Sequence, residues 1–268
     1  RLVVTDAPIN PGNSGGALVD MDGMLVAIPN AIFSKSGASH GVGFAIPINL
    51  VKAVMESFNK GQPYVMRPWM GISVQDVDPD IAESLAMGDK TGVIIQAIHP
   101  LSPAQGTGLA RGDVVLQLNG ENILDQDDFQ FRLQTISLTD TVTLKIMKPN
   151  KTETEIKFAA ITPPDKPAAN PTEIKGQNPL SGVTVANLSP ATAVQLGIDP
   201  NQEDGVVITK VAASPVASLL GINQGDIVVA LNDHPISDVK DLQQRLQSTR
   251  KFALTLKRQQ QILNLQIQ

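Results

Sequence analysis

The sequence predicts a mainly β chain built from several small modules. Three observations carry that expectation. Short runs of Ile, Val, Leu and Ala are cut at close intervals by glycine and proline, 21 and 19 of them in 268 residues, the pattern of strands joined by turns. A long block recurs at an offset of ~113 residues, too long for a solenoid unit and right for a duplicated domain. Aromatic residues are only 3% of the chain, so its cores must be built from aliphatic and β-branched side chains, which suit pleated surfaces.

Composition also excludes functions. The net charge is −5 and no basic tract stands out, so we expect no nucleic-acid partner. The absence of cysteine rules out disulfides, thiol catalysis and Cys-ligated metals. The three histidines, His40, His99 and His234, are scattered, so no metal site and no cofactor are expected, and each is read as solvent-facing. No stretch approaches the ~20 apolar residues of a membrane span. The chain opens on Arg1-Leu2-Val3-Val4-Thr5, inside a strand pattern, which leads us to expect residues upstream and to read no signal peptide in this opening stretch.

In chain order, Ala17-Leu18-Val19, Met24-Leu25-Val26-Ala27-Ile28 and Val42-Gly43-Phe44-Ala45-Ile46 read as strands, with a turn at Met21-Asp22-Gly23. A helix follows Pro47, with Asn49 as its expected N-cap. Leu50, Val51, Val54, Met55 and Phe58 form its apolar stripe, and Gly61 is its stop.

The repeated block comes next. Gly92-Val93-Ile94-Ile95 matches Gly205-Val206-Val207-Ile208. Gly112-Asp113-Val114-Val115 matches Gly225-Asp226-Ile227-Val228, and both continue to an Asn-Gly or Asn-Asp hairpin turn at Asn119 and Asn232. Helices are expected over about 127–136 and 239–247, then strand pairs at 141–147 with 153–158 and 252–257 with 262–267. Between the copies, Thr162-Pro163-Pro164-Asp165-Lys166-Pro167-Ala168-Ala169-Asn170-Pro171 is expected to be an extended, semi-stiff tether.

This order of elements resembles the circularly permuted, bacterial kind of PDZ domain. The resemblance implies an α+β fold that binds a peptide C-terminus by adding it as a strand, its carboxylate held by backbone amides of a short glycine loop. In the first copy it implies peptide-binding roles for Arg67, Met70, Gly71, Ile72 and Val74, with Phe129 and Leu133 on the following helix. In the second copy it implies roles for Ser181, Gly182 and Val183, although Ser181 replaces an apolar residue and no arginine lies in the matching place.

Upstream, Asn10-Pro11-Gly12-Asn13-Ser14-Gly15-Gly16-Ala17-Leu18 contains a Gly-x-Ser-Gly-Gly loop leading into an apolar strand, which suits an acyl-transfer nucleophile. Together with Gly43-Phe44-Ala45-Ile46-Pro47 and two PDZ-like copies, the string is similar to the HtrA (Do/Deg) serine proteases, in their periplasmic DegP/DegQ-like branch. The resemblance implies the second half of a trypsin-like β-barrel domain over residues 1–61, followed by two α+β PDZ domains over 62–162 and 179–268, with the proline-rich linker at 163–178. It implies Ser14 as nucleophile, the N–H groups of Gly12 and Ser14 as oxyanion hole, and Ile9, Asn30, Ala31 and Ile32 as the substrate-binding wall. It further implies unfolded proteins and peptide C-termini as partners, trimer-based homo-oligomers and a periplasmic location.

In the trypsin-like chain order a histidine and an aspartate precede the serine. No histidine lies ahead of Ser14, so the chain by itself is expected to be inactive. A non-catalytic PDZ scaffold or holdase chaperone is the competing reading.

Overall fold

The computed structural model describes residues 2–34, 40–59, 61, 67–138, 140–201, 205–211, 215–249, 251–259 and 261–267. The chain is mainly β, and its described strands lie in three sheets. It divides into two compact units, Arg1–Ala97 with Pro103–Thr162, and Ile98–Ser102 with Pro163–Gln268. No described helix is long and apolar enough to cross a membrane.

The first sheet holds β1 (Val3–Thr5), β2 (Leu18–Val19), β3 (Leu25–Ile32) and β4 (Gly43–Pro47) in the order β1-β4-β3-β2. The β2–β3 turn is set by Asp20, whose carboxylate accepts the N–H groups of Asp22 and Met24, and by Gly23 at φ 76°. At the start of β4, Gly43 lets the strand pass close over Ile9: a Cβ there would lie 2.5 Å from Ile9 Cδ1, so the isoleucine would have to shift. Val19, Met21, Met24, Leu25, Val26 and Phe33 are exposed on this part of the chain.

Helix α1 (Ile48–Asn59) corrects one expectation: Asn49 is not its N-cap. The strand runs to Pro47 and the helix follows at once, so the extended residue ahead of it is a proline, which has no side-chain oxygen to cap with. Asn49 lies within the first turn, and its Oδ1 accepts Leu50 N–H. Gly61 (φ 69°) donates its N–H to Phe58 O just beyond the end.

The second sheet comprises β5 (Ile72–Asp76), β6 (Val93–Ile98), β7 (Val114–Leu118), β8 (Glu121–Asn122), β9 (Thr141–Met147) and β10 (Glu153–Ala159). Their order is β10-β9-β7-β6-β5, with β8 on β7. Helices α2 (Pro79–Ser84) and α3 (Gln126–Leu133) complete it. The second copy begins with β11 (Thr172–Glu173), β12 (Thr184–Asn187), α4 (Pro190–Leu196), β13 (Val206–Lys210) and α5 (Pro215–Leu219). It continues with β14 (Ile227–Leu231), β15 (His234–Pro235), α6 (Val239–Ser248), β16 (Phe252–Arg258) and β17 (Gln261–Ile267). Here the order is β11-β12-β13-β14-β16-β17, with β15 on β14.

Three devices recur in both copies. Behind the turn glycines, Asp113 and Asp226 are each 1% exposed. Each carboxylate accepts a backbone N–H, from Ala110 or Asn223, and each pairs with a cation at or just past the end of a strand, Lys148 or Arg258. The same cation also donates to a glycine carbonyl, Gly108 or Gly221. At the hairpins, Asn119 and Asn232 adopt positive φ and their side chains complete the ladder. Asn119 Oδ1 accepts Thr143 N–H and Asn232 Oδ1 accepts Ala253 N–H. At α3 and α6 an Asp-x-x-Asp box caps the helix: Asp125 and Asp238 accept from Asp128 and Asp241, which reach back to Leu124 and Ser237. Arg132 and Arg245 then pair with Asp128 and Asp241 one turn on. The constant spacing ends with this helix, because Asp128 matches Asp241 while Lys148 matches Arg258 at a shorter interval.

Two further findings differ from expectation. His99 is 8% exposed rather than solvent-facing, because its Nδ1 accepts Leu101 N–H and closes a local turn around the ring. His40 and His234 are exposed. The proline-rich stretch does not stand off as a tether. Pro164 O accepts Ala191 N–H, Ala168 O and Ala169 O accept from Asn187, and Asp165 accepts the Ser189 hydroxyl.

The buried carboxylates separate the copies energetically. The Arg258 fork serves both Asp226 oxygens, and that carboxylate holds the guanidinium above its ordinary pKa. Lys148 serves only Oδ2, leaving Asp113 Oδ1 buried without a partner. Lys148→Arg is therefore expected to stabilise the first copy by about 1 kcal/mol, and Arg258→Lys to cost the second copy a similar amount, read by urea denaturation. Gly43→Ala drives its methyl into Ile9 and is expected to cost about 1–3 kcal/mol, seen as faster amide exchange in β1, β3 and β4 while the repeats are unchanged.

Candidate functional site: a serine loop and two strand-edge loops

The serine loop is a chain of tight turns between β1 and β2. Gly12 and Gly15 take φ of 102° and 81°, which a side-chain-bearing residue would hold only under strain. Asn13 N–H donates to Asn10 O and Gly16 N–H to Asn13 O, each at 3.0 Å. Asn13 Nδ2 donates to Pro8 O. Gly15 N–H donates to Pro29 O on β3 at 3.0 Å, so the loop is pinned to the strand that carries Asn30, Ala31 and Ile32. Ser14 is exposed, and among the described residues neither its N–H nor that of Gly12 donates to a carbonyl.

Of the substrate-wall residues, Asn30 and Ala31 are exposed at a bulge in β3 and Ile32 is half-buried, opposite Gly43. Ile9 is 4% exposed and packs over Gly43, so it meets the same register position from within the core. Asp6 is exposed and near the serine in sequence only.

In the first copy, β5 ends the sheet among the described residues, and α3 lies beside it, tied by Gln126 N–H to Asp76 Oδ1. The loop ahead of β5 is anchored by Trp69 N–H to Ile161 O at 2.8 Å. Gly71 takes φ 63° between Met70 and Ile72. Met70, Ile72, Val74 and Phe129 are buried, Leu133 is half-buried and Arg67 is exposed. An apolar floor and a glycine turn thus lie along one strand and one helix, with the exposed Arg67 just upstream in sequence.

In the second copy the matching loop is fully engaged by its own chain. Ser181 N–H donates to Asn178 O, Val183 N–H to Leu180 O and Gly182 N–H to Ile174 O. Gly182 has φ 81°, Leu180 and Val183 are buried, and Ser181 is half-buried.

Sequence reasoning overlooked helices α2 and α4. The signal was present, since Asp78 and Ser189 each cap a helix whose next residue is proline. It also overlooked Asp113 and Asp226 as buried ion-pair residues. A cleft of about 300 Å³ lies elsewhere on the first copy, lined by Asp89, Lys90, Leu116, Gln117, Lys145 and Glu153 among others. Lys90 and Lys145 both pair with Glu153. The Lys145 ammonium, with Lys90 adding to it, holds the Glu153 carboxyl down at about 2. The arrangement is that of a solvated surface network, and the one hydroxyl in its lining, Thr91, donates to Ile123 O.

The PDZ domain family model matches residues 68–157 and again 178–268. A probable periplasmic serine endoprotease DegP-like of Marinomonas sp. (strain MWYL1) is 33% identical over 240 residues, covering 90% of this chain and 50% of that protein. A protein of the same name from Chlamydia pneumoniae is 31% identical over 251 residues, covering 92% and 49%. The chain spans about half the length of these relatives, and alignments covering 90% and 92% of it extend upstream of the first PDZ match at residue 68. Among solved structures, the HtrA-type protease AlgW with tripeptide is 38% identical with a TM-score of 0.43, covering 62% of this chain and 55% of that one. On the two PDZ matches and the relatives that share the region before them, the chain belongs to the HtrA family and carries two PDZ domains.

Proposed function

We propose that this chain is part of a periplasmic serine endopeptidase that degrades unfolded proteins of the cell envelope. Ser14 is its nucleophile, and its first PDZ domain captures substrate C-termini. One observation carries the catalytic half of the reading. The Gly12–Ser14 turn presents an exposed hydroxyl beside two backbone N–H groups that the loop's own turns leave unused. That is the donor pair an oxyanion needs. Asn30 and Ala31, exposed on the strand to which the loop is pinned, would dock the substrate, and Ile32 with Ile9 would face its side chain. The names of the relatives, periplasmic serine endoproteases, agree with this chemistry and location. Trimer-based assembly belongs to the same reading. The exposed apolar side chains on the first sheet, Val19, Met24, Leu25 and Phe33 among them, are what the inner half of a two-barrel protease would show to its other half.

The histidine and aspartate of a trypsin-like triad are not among the residues before Ser14, so the chain alone is proposed to be inactive. Incubated with casein, it is expected to give no cleavage above background, since losing the base costs several powers of ten in rate. In a chain extended upstream to carry both residues, cleavage is expected, and Ser14→Ala should abolish it with substrate binding nearly unchanged. A lack of cleavage by that extended chain would favour the scaffold or holdase reading.

The recruiting half rests on the first copy. A ligand must present a free carboxylate to the Met70-Gly71-Ile72 amides and an apolar last side chain to the floor beneath them. Titrating the chain with a peptide ending in Val, as free acid and as amide, is expected to show a roughly tenfold or greater preference for the acid. Arg67→Ala should weaken binding less, and in a salt-dependent way, because Arg67 is exposed. Equal affinity for acid and amide would remove the recruiting role.

A further inference from the structure

The second copy holds its own ligand. β11 pairs antiparallel with β12, on the side of β12 away from β13, with Thr172 opposite Val185 and Glu173 opposite Thr184. Ile174 continues the pairing: its N–H donates to Val183 O at 2.9 Å, and its carbonyl accepts Gly182 N–H at 2.8 Å. Gly182 is the glycine of the loop that would hold a terminal carboxylate. The direction is that of a captured peptide, running against the sheet's edge strand and arriving at the loop with its last residue. The Ile174 side chain is 2% exposed and belongs to the same buried cluster as Leu180, Val183, Val185, Leu242 and Leu246. Helix α6, which contributes the last two, lies beside β12, tied by Val239 N–H to Asn187 Oδ1. Backbone, loop and apolar pocket are thus all occupied by residues 172–174.

The occupant is firmly connected. Beyond Ile174 the chain returns to the loop through Gly176, at φ 101°, and a turn built on Asn178. That side chain donates to Lys175 O and accepts Leu180 N–H. A strand joined by so short and ordered a return competes at a very high effective concentration against any peptide in solution.

We propose that Thr172-Glu173-Ile174 is an intramolecular ligand that closes the second PDZ domain to C-terminal peptides, leaving their recognition to the first. The proposal rests on reading both copies as peptide clamps, and its test scores the two readings separately. The probe is the pentapeptide Asn-Pro-Thr-Glu-Ile with a free C-terminus, which repeats residues 170–174. It is titrated into the whole chain and followed by residue-resolved NMR.

In the unaltered chain, shifts are expected around Met70–Ile72 and none at Ser181–Val183 or Leu246. In Ile174→Ser, the pocket is vacated and a second set of shifts is expected at Ser181, Gly182, Val183 and Leu246, with binding there at least about tenfold tighter than in the parent. Ile174→Ala, which disturbs the core less, is expected to fall between the two and stands in if the serine variant does not fold. Equal binding at Ser181–Val183 in parent and variants would overturn the proposal, because the strand would then not compete. No binding there in either variant would overturn it as well, making residues 172–174 an ordinary strand. Shifts at the first copy, present or absent in every titration, report on the recruiting role independently.

Discussion

A carboxylate buried behind a turn glycine is the constraint on which each repeated domain is built. Asp113 and Asp226 enter the interior at the start of β7 and β14, where an unpaired charge could not persist. Each must meet a cation, and the only economical source is the far end of the strand hydrogen-bonded alongside, β9 or β16. Because the same cation also grips the carbonyl of Gly108 or Gly221, one contact fixes three segments: the glycine loop, the central strand and the last hairpin. With those held, the central strands have fixed partners, and the edge strand and the capped helix that flank the peptide groove are left on the opposite side.

The serine loop obeys a different rule. It has no buried charge; its shape comes from backbone hydrogen bonds and glycines with positive φ. Gly15 N–H pins the loop to Pro29 O on β3, while Asn13 and Gly16 N–H close the loop's own turns. The helices that follow the paired strands use carboxylates at their caps for the same end, converting flexible termini into fixed ones.

Much of this was legible in the sequence, for identifiable reasons. The Gly-Asp runs and the Asn-Gly and Asn-Asp turns demand backbone conformations that few residues tolerate, so strands and hairpins could be placed closely from them. The repeat then transferred each assignment from one copy to the other. The short helices α2 and α4 were missed because six and seven residues carry too little periodicity, and only the Asp-Pro and Ser-Pro caps mark them. The burial of His99 was missed because a local Nδ1 bond, invisible in composition, satisfies the ring. The role of Asp113 and Asp226 was missed because the partner cation lies more than thirty residues away in sequence, beyond any local pattern. The occupied groove of the second copy was illegible for the same reason: Pro171-Thr172-Glu173-Ile174 reads as the end of a linker, and only its long-range pairing makes it a strand.

That pairing turns a linker into stored length. Residues 163–174 are laid along the second copy by single hydrogen bonds, donated by Ala191, Asn187 and Gly182 and accepted by Val183 O. Fully extended, twelve residues reach about 40 Å. Peeling them away would therefore lengthen the connection between the two PDZ domains and open the second groove in a single event, so that reach and binding capacity rise together under tension or competition.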